Sequence, residues 1–127
     1  MKTDRRLKKN KEFQFVFQSG SSTANRQFVV YFRNRPEKGP FRVGISVSKR
    51  VGNAVTRNRI KRRVRELIRL LEEQITEGKD YVIIARKPTA NMDYREMKGS
   101  LIHVLKRAGV FRRKSGGPGH ISSNKHR

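Results

Sequence analysis

The sequence predicts an α+β domain of two layers, and three observations carry that expectation. Apolar residues recur at helical spacing in three segments, near residues 10–20, 56–76 and 93–108. Between them lie β-type segments: a β-branched and aromatic run at 26–33, an alternating one at 41–48 and a continuous apolar one at 81–85. The order is therefore α, β, β, α, β, α, with a further strand possible near Val47–Val51, and strands with helices on one face make a two-layer domain. A chain of 127 residues suits one such domain.

The first helix, N-K-E-F-Q-F-V-F-Q-S-G, has Asn10 as its expected cap and Gly20 as its stop. Phe13, Val16 and Phe17 share one face. In the strand at 26–33, Phe28, Val30 and Phe32 alternate with Val29, Tyr31 and Arg33, and Pro36, Gly39 and Pro40 mark the turn that follows. Residues 41–48 place Val43, Ile45 and Val47 on one face and Arg42, Gly44, Ser46 and Ser48 on the other, a face that is small, polar and cationic. Gly52-Asn53 breaks this strand, and Asn53 or Thr56 caps the long helix.

That helix has an apolar stripe of Ile60, Val64, Leu67, Ile68, Leu71 and Ile75. Asn58, Lys61, Arg62, Arg65 and Arg69 lie opposite, and Gly78 follows as the stop. Tyr81–Ala85 reads as a strand buried on both faces. Asp93 and Glu96 form a capping box for the last helix, whose core face is Met97, Leu101, Val104, Leu105 and Ala108, with Gly109 ending it. The expected domain is 1–111, and residues 112–127, rich in Gly, Ser and basic residues, form an expected disordered tail.

Charge then narrows the function. There are 32 Lys and Arg against 10 Asp and Glu, a net +22. Residues 1–11 and 112–127 carry net +5 each, which leaves +12 on the body. Residues 38–65 contain ten basic side chains and no acid, whereas half of all the acids fall between Glu66 and Asp80. A solvated helix face alternates its signs, so this segregation reads as a surface for a polyanion. Cysteine is absent, which excludes disulfides and thiol chemistry. No apolar run is long enough to span a bilayer, and no signal-type segment is present, so the expected location is cytoplasmic, without a membrane partner. His103, His120 and His126 stand apart from any carboxylate pair with metal spacing, so no catalytic set is expected.

Two constellations remain. Ser46–Glu66 leads from a strand through a Gly-Asn turn into a helix bearing Arg57, Asn58, Arg59, Lys61, Arg62 and Arg65. Guanidinium groups fork onto phosphates, and Asn bonds base edges or 2′-hydroxyls. Phe13, Phe17 and Tyr31 are either core rings or stacking platforms for single-stranded RNA. The residues alone favour the core.

The segments L-K-K-N-x-x-F-x-x-V-F, S-V-S-K-R-V-G-N-A-V-T-R-N-R-I-K-R and D-Y-V-I-I-A-R resemble the protein component of bacterial ribonuclease P, across about residues 5–110. The resemblance implies an αβββαβα sandwich with a left-handed βαβ crossover, and a third strand in place of the doubtful one. It implies an endoribonuclease holoenzyme that removes the 5′ leader of precursor tRNA. The RNA subunit performs that Mg²⁺-assisted hydrolysis, and the protein broadens substrate recognition without catalytic side chains. It further implies that Phe13, Phe17 and Tyr31 line a cleft for the leader, which reverses the preference for core packing. Arg57, Asn58, Arg59, Lys61, Arg62 and Arg65, with Lys49 and Arg50 beside them, would face RNA. DNA is not an expected partner, and a ribosomal or ribosome-assembly protein is the main rival.

Overall fold

The computed structural model describes residues 5–37 and 39–112. Helix α1 spans Asn10–Ser19. Its cap differs from the expected Asn10: Lys9 occupies that position, and the Glu12 carboxylate reaches back to accept from the N–H groups of Lys8 and Lys9 at 2.9 and 3.2 Å. Those two bonds, the larger cause, and the nearby Arg42 hold the Glu12 carboxyl below its usual range. Gly20 closes the helix as expected, its N–H donating to Val16 O at 2.9 Å.

The strands are β1 (Ser21–Ala24), β2 (Phe28–Asn34), β3 (Arg42–Val47) and β4 (Lys79–Ala85). They form one sheet in the order β1-β2-β4-β3, antiparallel except between β3 and β4. Helix α2 (Ala54–Leu71) joins that parallel pair, which makes the βαβ unit. The additional strand is β1, whose S-S-T-A carries no apolar alternation. It is held by pairing with β2 through Ser21↔Phe32 to Ala24↔Val29. The segment near Val47–Val51, a possible strand from sequence, is a 3-10 turn at Lys49–Val51.

Asn53 caps α2, its side-chain oxygen accepting from Thr56 N–H at 2.9 Å. The α-helix stops seven residues before Gly78; a 3-10 turn at Glu72–Gln74 follows, and Ile75 is buried outside the helix. Gly78, with φ +75°, makes the turn into β4. Helix α3 (Tyr94–Arg107) has the expected Asp93–Glu96 capping box, and Gly109, at φ +77°, lies just past its end.

Helices α2 and α3 cover one face of the sheet. Phe28, Val30, Val43, Ile83 and Ala85 meet Ile60, Val64, Leu67, Met97 and Leu101 in the main core. These helices and the sheet give the expected α+β sandwich. Helix α1 lies on the other face, where Val16, Val82 and Leu7 form a small core flanked by Phe13, Tyr31 and Ile84. That cover is required because β4 alternates Tyr81, Ile83 and Ala85 with Val82 and Ile84, leaving both faces apolar. The expected tail lies almost wholly outside the described residues.

Candidate nucleic-acid interface

Strand β3 positions the candidate site, since it is an edge strand with α1 on one face and α2 on the other. Among the described residues its outer edge is paired at the start, where Val43 N–H donates to Arg5 O and Leu7 N–H donates to Val43 O. In a parallel ladder alternate residues point to the same side, so the backbone groups of Ile45 face outward along an edge with no further pairing among the described residues.

A groove of about 360 Å³ opens there, lined by Asn10, Phe13, Gln14, Phe17, Ile45, Ser46, Val47 and Lys61. Phe13 lies directly over Gly44, in the space a Cβ would need. This explains why the outer face of β3 is small: the ring of α1 docks on it. Phe17, 36% exposed, stands edge-to-face on Tyr31 with ring centroids 4.9 Å apart. Phe13 and Phe17 thus share the groove wall with Lys61, while Tyr31 braces Phe17 from the sheet and is not itself in the lining.

The basic residues divide into two groups. At one end of the sheet the arginines are neutralised. Asp80, 1% exposed, accepts from Arg42 at 2.9 and 2.8 Å, with Arg33 and Arg35 at 3.6 and 3.7 Å. Arg5 pairs with Glu77 at 2.9 Å and Glu72 at 3.6 Å and stacks on Phe41. Burial resists ionisation of Glu77, but the bonds from Arg5 and from Phe41 N–H outweigh it and lower its pKa. The acids between Glu66 and Asp80 therefore include those that balance structural arginines.

At the other end, Lys49, Arg50, Arg57, Arg59, Lys61, Arg62 and Arg65 form no ion pair among the described residues. Lys49, Arg50, Asn58 and Arg62 are exposed, and Lys61 and Arg65 are half-buried along the same side of α2. Arg57 and Arg59 are less free: Arg57 Nε donates to Gly52 O at 3.0 Å, and Arg59 donates to Ala90 O at 3.1 Å. The expected residues thus share one end of the molecule but not one surface.

The Ribonuclease P family profile matches residues 1–109. The ribonuclease P protein component of Geobacillus kaustophilus (strain HTA426) is 58% identical over 120 residues, covering 94% of this chain and 98% of that one. This chain belongs to the bacterial ribonuclease P protein family. The solved Staphylococcus aureus RNase P protein superposes with TM-score 0.81 at 49% identity, over 87% of this chain and all of that one. The Thermotoga maritima RNase P protein gives 0.73 at 36% identity, over 80% and 96%. The chain is thus the protein subunit of a ribonucleoprotein endoribonuclease that acts on tRNA precursors in 5′ processing, and it works with an RNA subunit.

For a ribonuclease P protein the site contains residues that sequence reasoning passed over. Asn10 and Gln14 flank Phe13 and Phe17 on the groove side of α1, a placement readable from helical spacing. Arg86 and Lys87 are exposed where β4 ends, and the turn at 87–91 packs against the turn at 49–51. No sequence signal joins those two turns, because only the parallel pairing of β3 with β4 brings their ends together. Phe15, 54% exposed, carries the Arg33 guanidinium 4.3 Å from its ring centre on the flank of α1 away from the groove.

Proposed function

We propose that the protein grips the single-stranded 5′ leader of precursor tRNA in the groove between α1 and β3, and docks the catalytic RNA with the unpaired cations beside it. The observation that carries this reading is the adjacency of two accessible rings and Lys61 to cations that form no ion pair among the described residues. Rings on a groove wall stack bases without regard to sequence, and each stacked base contributes about 1–3 kcal/mol. Open backbone groups at Ile45 offer hydrogen bonds to sugar or base. Lys49, Arg50, Asn58, Lys61, Arg62 and Arg65 form the RNA-facing set, with Arg57 and Arg59 of the same segment held on backbone carbonyls beside them, and Phe13 and Phe17, braced by Tyr31, form the leader set.

Hydrolysis belongs to the RNA subunit together with Mg²⁺. The carboxylates Glu12, Glu72, Glu77 and Asp80 are engaged by arginines, and no cluster of three or more His, Asp or Glu side chains stands ready for a metal among the described residues. What the chain supplies is position, together with relief of repulsion between phosphates. This reading places the protein in the cytoplasm with its tRNA substrates.

The test mixes the protein with a ribonuclease P RNA and precursor tRNA at low Mg²⁺. Stimulated cleavage at the 5′ end, greater for long-leader than for short-leader substrate, is expected. Unchanged cleavage would overturn the reading, and cleavage without the RNA would assign the chemistry to the protein.

A further inference from the structure

Within the basic helix, two arginines reach across to the segment that precedes α3. Arg59 and Arg63 are one helical turn apart, on the flank of α2 that faces the segment before α3. Arg59 donates to Ala90 O at 3.1 Å, and Arg63 donates to Met92 O at 3.2 Å. Both side chains are half-buried, and Arg59 Nε is enclosed.

The acceptors explain why donors are needed. Residues 87–91 form a 3-10 turn that starts with a proline at its beginning and is held by Thr89, fully buried, whose N–H and hydroxyl both donate to Arg86 O. Met92 N–H returns to Thr89 O, which uses the last internal bond of the turn. The carbonyls of Ala90, late in this turn, and of Met92, just before the Asp93 cap of α3, then receive no donor from either element among the described residues. The two arginines provide it.

We propose that Arg59 and Arg63 are positioning residues: they tie α2 to the 87–92 segment and so serve RNA docking by fixing geometry, not by neutralising phosphate. The 87–91 turn packs against the 49–51 turn, so the ties also set where Lys49, Arg50 and Lys87 stand relative to Lys61, Arg62 and Arg65. The Arg-Asn-Arg segment is then divided in its work. Asn58 is exposed toward RNA, while Arg59 faces inward to a backbone carbonyl.

This inference rests on the proposed RNA-binding role, and the experiment separates the two. Binding of a ribonuclease P RNA is measured against salt for the wild-type protein and for Arg59→Met, Arg63→Met and Arg62→Ala, at a temperature where each is folded. Met keeps the apolar stem and removes the donors. Each lost phosphate contact lowers the slope of log affinity against log salt by about 0.7–0.9. Arg62→Ala is expected to show that drop. Arg59→Met and Arg63→Met are expected to keep the wild-type slope yet bind about tenfold more weakly, as when one charge-assisted hydrogen bond is lost in full. Amide exchange of the free variants is expected to quicken at Thr89 and Met92.

A slope drop in Arg59→Met equal to that of Arg62→Ala would overturn the proposal. So would an affinity equal to wild type, because the ties would then be structural only, and so would unaltered exchange at both amides. Failure of the wild-type protein to bind the RNA would instead overturn the functional reading itself.

Discussion

Replacing Gly44 with Ala tests how α1 and the groove are built. An ideal Cβ on Gly44 lies 2.6 Å from Phe13 Cε2 and 3.1 Å from Cε1, and closer still to Cζ. Carbon atoms rest comfortably at about 3.5–4.0 Å, so the ring must retreat by about 1 Å. The sheet lies beneath it, and the only way out is into the groove, with α1 lifting as it goes. Forcing one methyl into a packed contact costs about 1–3 kcal/mol. Against this, Ala restricts the unfolded backbone and recovers about 0.5–1 kcal/mol relative to Gly within a strand. The net expected loss is thus about 0–2.5 kcal/mol, centred slightly above 1 kcal/mol. With a urea m-value of about 1–3 kcal/mol/M, the unfolding midpoint falls by a few tenths of a molar to about 1 M. On the proposed assignment of the groove to the leader, affinity for precursor tRNA with a long leader falls in the binding assay while affinity for mature tRNA holds. A variant as stable as wild type with an unchanged precursor-to-mature ratio would refute the docking of Phe13 on Gly44. Equal losses for both RNAs would refute the assignment of the groove to the leader.

Other perturbations follow from the same contacts. Phe17→Ala removes an accessible ring and its edge-to-face contact with Tyr31, and should weaken long-leader binding by about 1–3 kcal/mol while sparing mature tRNA; parallel titrations of both RNAs decide it. Asn53→Ala deletes the oxygen that accepts from Thr56 N–H, and should cost about 0.5–2 kcal/mol in denaturant unfolding. Asp80→Asn leaves Arg33, Arg35 and Arg42 around a neutral partner and should cost about 3 kcal/mol, at the low end for a buried pair because the arginines retain some solvent. The Glu12 and Glu77 carboxyls are held below 4.5, so the stability they add is complete above that pH and is lost as pH falls through their lowered values. A midpoint for unfolding that stays level from neutral pH to about pH 3 would contradict both pairings.

Much of this was legible in the sequence, for physical reasons that differ by element. Helices α2 and α3 show their core faces at 3.6-residue spacing and their caps as Asn53 and Asp93–Glu96, which are local signals. Strand β1 was not legible, because Ser21–Ala24 is held by pairing with β2 and buries almost nothing of its own. The cap of α1 was misplaced by one residue because Glu12 satisfies the leading N–H groups from inside the helix, and Asn10 is left free to line the groove. The aromatic choice was open from sequence for a related reason. A ring at helical spacing is compatible with core and with groove alike, and Phe13 is in fact both: it packs on Gly44 and shows its other side to the groove.

The arrangement around β3 explains how so basic a chain folds. Self-repulsion is most costly where like charges are buried together, and there each arginine has a carboxylate: Arg42, Arg33 and Arg35 on Asp80, and Arg5 on Glu72 and Glu77. The cations of residues 49–65 lie where β3 and β4 both end and along the first turns of α2, so the parallel crossover collects them at one exposed end. Opening the edge of β3 beyond Val43 then places uncovered backbone and two rings within reach of that end. If the segregation serves RNA, exchanging the groups must be asymmetric. Substituting a paired arginine such as Arg42 by Ala should lower the unfolding midpoint with little change in the salt slope of RNA binding. Substituting an unpaired one such as Arg62 should lower the slope by about 0.7–0.9 with little change in the midpoint. Matching effects of the two on both measurements would mean that the charge is spread for solubility alone, and that its segregation along β3 has no part in binding.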